Sequence, residues 1–368
     1  MSRVLDTFLD LTRISSPSGR ERGVADYVAA ALTLAGCDVR FDDTQSATGA
    51  DTGNLLATLP ATAPGSTIAL SAHMDCVQPC EGVEPVLQDG FVRPGGETVL
   101  GGDDKVGIAA IVEAVRRLQE HAEPHGAVRI VLTVSEEIGL VGAKALAAAD
   151  CAADVCLVLD ADGAVGGIVT AAPTHYTFKA VFSGRAAHAG IEPERGLSAI
   201  SMATAAIGRM TLGRVDAQTT ANIGTIRGGI ATNVVAPACE VTGECRSLDG
   251  DRVERIREEM EAEMRAAAGE FGGGVDVAWQ LEYRGFSLTD DAFALELVEA
   301  ACRDVGVVPR RFRTGGGSDG NIINARGIPT VVLAAGMSQV HSTAEELEVA
   351  ELERLADLIE AVLRRAVT

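Results

Sequence analysis

The amino-acid sequence predicts an α/β protein: a doubly wound, mostly parallel sheet interrupted by a smaller α+β domain of ferredoxin-like order. Three observations predict it. Apolar runs at Thr67–Leu70, Val128–Val134, Val155–Leu159 and Thr330–Leu333 lack polar alternation, as strands buried on both faces do. Helical patterns of period 3.6 occur among the runs and after the last of them. Between about residues 173 and 286 the order changes to β-α-β-β-α-β.

Taken along the chain, Arg3, Asp6, Asp10 and Arg13 interrupt an apolar N-terminal stretch, which therefore reads as an amphipathic helix and not as a signal peptide. A loop with Pro94, Gly95 and Gly96 precedes Gly101-Gly102-Asp103-Asp104-Lys105. In the helical pattern that follows, Glu113, Arg116, Arg117 and Glu120 share one face, leaving Ile111, Val112, Val115 and Leu118 for the core. The inserted segment reads as strand Tyr176–Phe182, helix Glu194–Met210, strands Ala221–Ile226 and Cys239–Arg246, helix Arg252–Ala268 and strand Val275–Tyr283. A final helix is expected from Ala344 to Ala366, with Leu347, Leu352, Leu355, Ile359 and Leu363 on one stripe and Ser342 and Glu345 spaced as a capping box at its start. A length of 368 residues suits two domains, 1–172 with 287–368 and the inserted 173–286.

A formal charge of −21 and a pI near 4.7 repel nucleic acid and anionic membranes, and no basic stripe offsets them. No apolar run approaches the ~20 residues of a membrane span. The eight cysteines are scattered without CxxC spacing, which points to reduced, buried thiols in a cytoplasmic protein. His121, His125 and His175 have no partners in sequence and are expected at the surface.

The chemistry-bearing residues cluster at particular places. His73 and Asp75 follow the first strand run with i, i+2 spacing, which points both to one side. Such a carboxylate can orient a metal-binding imidazole. Asp103 and Asp104 open a helix, Glu136 and Glu137 follow Val128–Val134, Asp160 and Asp162 follow Val155–Leu159, and His341 lies beyond Thr330–Leu333. Two adjacent glutamates repel unless a cation lies near them. The carboxyl edge of an open α/β sheet is where ligands bind. This donor set suits two zinc-like ions that share a carboxylate and keep a position open for water.

In these segments the chain resembles the M20 metallopeptidases, and among them the tripeptide aminopeptidase (peptidase T)-like branch. The matching segments are Ser71–Val77, Gly101–Gly107, Ser135–Gly142, Asp160–Gly163, Ala187–Gly190, Thr232–Val235, Gly243–Ser247, Gly315–Gly320 and His341-Ser342. The resemblance implies a zinc-peptidase sheet and an inserted domain serving as lid and homodimer contact. It implies Asp103 as the carboxylate bridging two ions, His73 and Asp160 completing one, and Glu137 and His341 completing the other. Asp162 is the alternative to Asp160, which is favoured because it follows its strand directly. Glu136 is implied as the general base, Asp75 as the partner of His73, and a cis peptide after Asp103. His188, Asn233 and Arg246 are implied as contacts for a peptide's carbonyl, backbone or carboxylate. The ions would be zinc, with cobalt or manganese as alternatives, and the substrates short peptides, most plainly tripeptides. A deacylase of the same fold is the nearest rival, and Asp at the third carboxylate position leans toward the peptidases. A non-catalytic relative conflicts with the retained Glu136. Gly315–Gly320 lacks the lysine of a phosphate-binding loop and reads as a close-approach loop, with Ser318 capping the next helix.

Overall fold

The structure is a computed structural model that describes residues 2–367. The chain divides into two compact units, one of residues 1–170, 288–313 and 318–368, the other of residues 171–287 and 314–317.

The sheet of the first unit runs Asp38–Phe41, Leu55–Leu59, Val128–Thr133, Ile68–His73, Val155–Ala161, Thr330–Ala334 and Gly167–Ala172 in spatial order. Its four central strands, from Val128–Thr133 to Thr330–Ala334, are mutually parallel, and the flanking pairings are antiparallel. Ile68, Leu70 and Ala72 join the large apolar core, while the alternate Ala69 and Ser71 are also buried, so these strands are covered on both faces. That explains why their sequences are apolar without alternation. Helix Gly102–Glu120 packs across the central strands. Ile111, Val112, Val115 and Leu118 are fully buried on it, as the helical period predicts. Glu113, expected on the solvated face, is instead buried and held by Arg3 and Arg117. Helix Arg3–Arg13 buries Val4, Leu5, Phe8, Leu9 and Leu11 on one stripe.

The second unit is a five-stranded antiparallel sheet whose four long strands follow the spatial order Thr219–Gly228, Ala238–Ser247, Thr174–Ser183 and Gly274–Tyr283. Helices Ala199–Arg209 and Gly250–Glu270 pack on it around Phe178, Phe182, Met202, Val253, Met260 and Met264. In sequence these elements read β-α-β-β-α-β, the ferredoxin-like order. The first helix begins at Ala199 and not Glu194, because Pro193–Arg195 forms a separate 3₁₀ turn and Ser198 caps the helix by accepting from the Ser201 N–H.

The C-terminal helix is Val349–Arg365, and the expected start at Ala344 is wrong. Glu346–Glu348 is a short strand paired with Phe91–Pro94, which keeps the chain extended until Val349. Ser342 and Glu345 therefore form no capping box. Leu347, Leu352, Leu355, Ile359 and Leu363 are nonetheless all buried. Ser318 does cap its helix, Asp319–Ala325, in a capping box with Asn321. The eight cysteines are all free and buried. His125 and His175, expected at the surface, are buried: His125 bonds the Gly126 carbonyl and His175 bonds Glu244. Among the described residues no helix is long and apolar enough to cross a membrane.

Candidate active site

The carboxyl ends of the central strands converge on one acidic cluster within the first unit. His73 is the last residue of strand Ile68–His73 and is 2 % exposed. Its Nε2 lies 3.0 Å from Asp103 Oδ1 and 3.6 Å from Asp160 Oδ1. On the other side, His341 Nε2 lies 3.2 Å from Asp103 Oδ2 and 3.1 Å from Glu137 Oε2. The two oxygens of Asp103 thus face two different histidines, each with a further carboxylate beside it. Asp162 is exposed and belongs to neither group. The peptide bond between Asp103 and Asp104 is cis.

Asp75 sits beneath this cluster, fully buried. Its Oδ1 is 3.4 Å from His73 Nδ1 and accepts from the Glu136 N–H at 2.9 Å. Its Oδ2 accepts from Ser18 Oγ at 2.6 Å and the Glu137 N–H at 3.2 Å. One carboxylate therefore orients both the imidazole and the backbone that carries the glutamate pair. The sequence suggested only the first of these tasks.

Backbone strain is concentrated around the same groups. Ser135 (φ 54°) and Leu140 (φ 58°) bracket the glutamates, and the second histidine, His341 (φ 60°), is itself in this region, as is Gln339 (φ 55°) two residues before it. Non-glycine residues rarely occupy this left-handed region, at a cost of about 1–3 kcal/mol each. Surrounding bonds hold Ser135 there: its N–H and hydroxyl both donate to Glu21, at 3.0 and 3.2 Å.

The donor set fits divalent cations, and the electrostatics say why. Hydrogen bonding to Asp103 and then Glu137 pushes the His341 imidazolium up to about 10. Burial, reinforced by the charges of Asp103 and Asp319, pushes Asp160 up to about 7. Burial and the Asp160 charge likewise push Glu136 well above the carboxylate range. All three shifts reflect crowded negative charge, made worse by burial at Asp160 and Glu136, which a bound cation would relieve. Glu137 Oε1 is buried with no hydrogen-bond partner. An orphaned carboxylate oxygen beside two imidazoles is what an oxygen- and nitrogen-binding ion would complete.

Three residues here had no site role in the sequence reading. Asp104 is wholly buried and accepts from the His73 and Gly107 N–H groups at 3.3 and 3.2 Å, so its oxygens are engaged by backbone. Asp319, 2 % exposed, accepts from Thr133 Oγ1 at 2.5 Å. Glu345 is 1 % exposed and accepts from the Gly101 and Asp103 N–H groups. Asp103-Asp104 and Ser318-Asp319 were visible as acidic positions beside glycines, but nothing local marked them as buried.

His188, Asn233 and Arg246 all belong to the second unit. His188 and Asn233 are exposed and lie on neighbouring loops, joined by a bond from the Ala189 N–H to the Asn233 carbonyl at 2.9 Å. Arg246 is held at two points by Glu244, at 3.2 and 2.9 Å, and donates to Tyr283 Oη at 3.3 Å. Glu244 also bonds His175 Nε2 at 2.9 Å. Hydrogen bonding to His175 and then Arg246 holds the Glu244 carboxyl down at about 2. In the same unit Gly317 approaches Tyr283 so closely that a Cβ would fall 2.2 Å from Cζ, a position only glycine tolerates.

Comparison with known proteins identifies the scaffold. Residues 69–365 match peptidase family M20/M25/M40. The crystal structure of aminopeptidase PepT from Bacillus cereus is 41 % identical, covers 99 % of this chain and 98 % of its own, and superposes with a TM-score of 0.93. A tripeptidase from Staphylococcus aureus is 37 % identical over 98 % of this chain and 97 % of its own, with a TM-score of 0.95. A Bacillus subtilis protein, the uncharacterized YqjE, is 41 % identical over 99 % of this chain and 98 % of its own length. The strand-edge cluster of histidines and carboxylates is thus carried on a peptidase scaffold, and the chain belongs to peptidase family M20/M25/M40.

Proposed function

We propose that this protein is a tripeptide aminopeptidase that releases the N-terminal residue of short peptides with the help of two divalent ions, zinc in the first instance. The observation that carries the reading is the position of Asp103, whose two oxygens lie 3.0 and 3.2 Å from different histidines. In this reading Asp103 would be shared by both ions, with His73 and Asp160 holding one and Glu137 and His341 the other. Likeness to a tripeptidase and to an aminopeptidase over nearly the whole chain supports the substrate class.

Divalent ions held there would supply Lewis-acid polarisation of a carbonyl and a lowered pKa for water. Glu136 would take a proton from the attacking water and give it to the nitrogen of the leaving amine as the C–N bond breaks. It suits the task because its neighbour Glu137 points to His341, while Asp75 fixes the backbone of both. Burial raises the basicity of Glu136, which favours a carboxylate as proton acceptor near neutral pH. Asp75 keeps the His73 ring in place. In the second unit, Arg246 pairs with the substrate's terminal carboxylate, and His188 and Asn233 contact its carbonyl and backbone. That unit also serves as lid and homodimer contact.

The test is turnover of a panel of matched di-, tri- and N-acetylated peptides together with metal analysis. Tripeptides with a free amine should be cleaved fastest, by protein holding two ions per chain. Preference for the N-acetylated substrates would replace the reading with a deacylase.

A further inference from the structure

His341 is the most exposed of the candidate ligands, its side chain 53 % accessible, and it lies in a loop whose backbone is strained at Gln339 and His341. Asp103 lies far away in sequence, in the loop that leads into helix Gly102–Glu120, where its own backbone is not yet helical. The proposed second ion needs these two loops at a fixed spacing. Four residues beyond His341, the buried carboxylate of Glu345 reaches the other loop with both oxygens. Oε2 accepts from the Gly101 N–H at 2.9 Å and Oε1 from the Asp103 N–H at 3.0 Å. At Gly102, between these two donors, an added Cβ would fall 2.8 Å from Glu345 Oε1. The loop has therefore closed onto this carboxylate as far as glycine allows. Charge-assisted bonds to backbone N–H groups are the stronger kind, and a bidentate pair adds geometric restraint.

We infer that Glu345 is a positioning residue that ties the Asp103 loop to the His341 loop and so sets the affinity of the ion held by Asp103, Glu137 and His341. The inference rests on the two-ion reading above. Glu345 need not touch an ion; it acts by fixing the backbone of one ligand relative to another four residues from itself. Groups that orient metal ligands in this way commonly contribute about 10–100-fold to metal affinity. Asp103 is shared by both ions in that reading, but only the second ion also depends on His341, four residues from Glu345. His73 has its own support from Asp75 and Asp104, so the larger effect should fall on the ion held by Glu137 and His341.

The experiment is a metal titration of the full-length apoprotein with zinc, read as ions bound per chain by equilibrium dialysis. Wild type is compared with Glu345→Gln, which preserves size but replaces one accepting oxygen by a donor, and with Gly102→Ala, which disturbs the same contact from the opposite side. Circular dichroism and melting without metal establish that each variant is folded. Both variants should bind one ion about 10–100-fold more weakly and the other with a clearly smaller loss. The mutant with the more weakly held ion should recover activity as zinc is raised. Two ions bound by both variants with unchanged affinity would overturn the role of Glu345 while leaving the two-ion reading intact. Equal weakening of both ions would also overturn it, showing a general structural role. A wild-type protein that binds fewer than two ions would overturn both.

Discussion

The two units of this chain present polar groups in opposite ways. In the first, His73, Asp103, Glu137 and Asp160 sit at the ends of buried strands or at segments tied to them, and the buried carboxylates of Asp75 and Asp104 beside them accept from backbone N–H groups. In the second, His188 and Asn233 are exposed on loops, and Arg246 is gripped within its own sheet by Glu244 and Tyr283. The difference separates two demands. A reactive centre needs donors fixed to a fraction of an ångström, which strand ends in a close-packed core provide. A surface that must meet peptides of varied sequence needs groups that stay accessible, plus a few oriented charges.

The largest effect that could break this comparison is at Glu136. Glu136→Gln keeps the shape and the backbone bonds to Asp75, and should lower kcat by about 10²–10⁴-fold while leaving metal content unchanged. Steady-state kinetics with metal analysis checks it. Near-wild-type turnover would remove Glu136 from the chemistry, and loss of metal would make it a ligand.

The second unit should respond more mildly and more selectively. A charge-assisted bond is typically worth about 1.5–3 kcal/mol, or about 10–200-fold at 1.36 kcal/mol per decade. Arg246→Ala should therefore lower kcat/KM by about that factor on a free tripeptide, and far less on its C-terminal amide. An equal loss on both substrates would show that Arg246 supports the sheet through Glu244 and Tyr283 and does not read the carboxylate.

The same contrast explains what could be read from the sequence. The central strands were legible because burial on both faces leaves an apolar run with no alternation, and the residue just past such a run is constrained to the sheet edge. His73, Glu136, Glu137 and Asp160 each follow one of these runs, and the structure gathers them with Asp103 and His341. Glu345 was misread because its local pattern, three residues after Ser342, is that of a helix cap, whereas its partners lie more than two hundred residues away. His125 and His175 were misplaced for a similar reason: each is buried beside an acceptor that no local pattern announces. Local signals report periodicity and chain reversal. They do not report which polar group a distant loop will bring to meet a buried one, and the supporting residues of the site are of that kind.

The central claim is that one carboxylate, Asp103, serves both ions. Zinc bound per chain, measured across a range of free metal for wild type, Asp160→Ala and Asp103→Ala, tests it most directly. Wild type should hold two ions, Asp160→Ala should weaken one, and Asp103→Ala should weaken both together. An Asp103→Ala protein that keeps one ion at wild-type affinity would contradict the shared-carboxylate site.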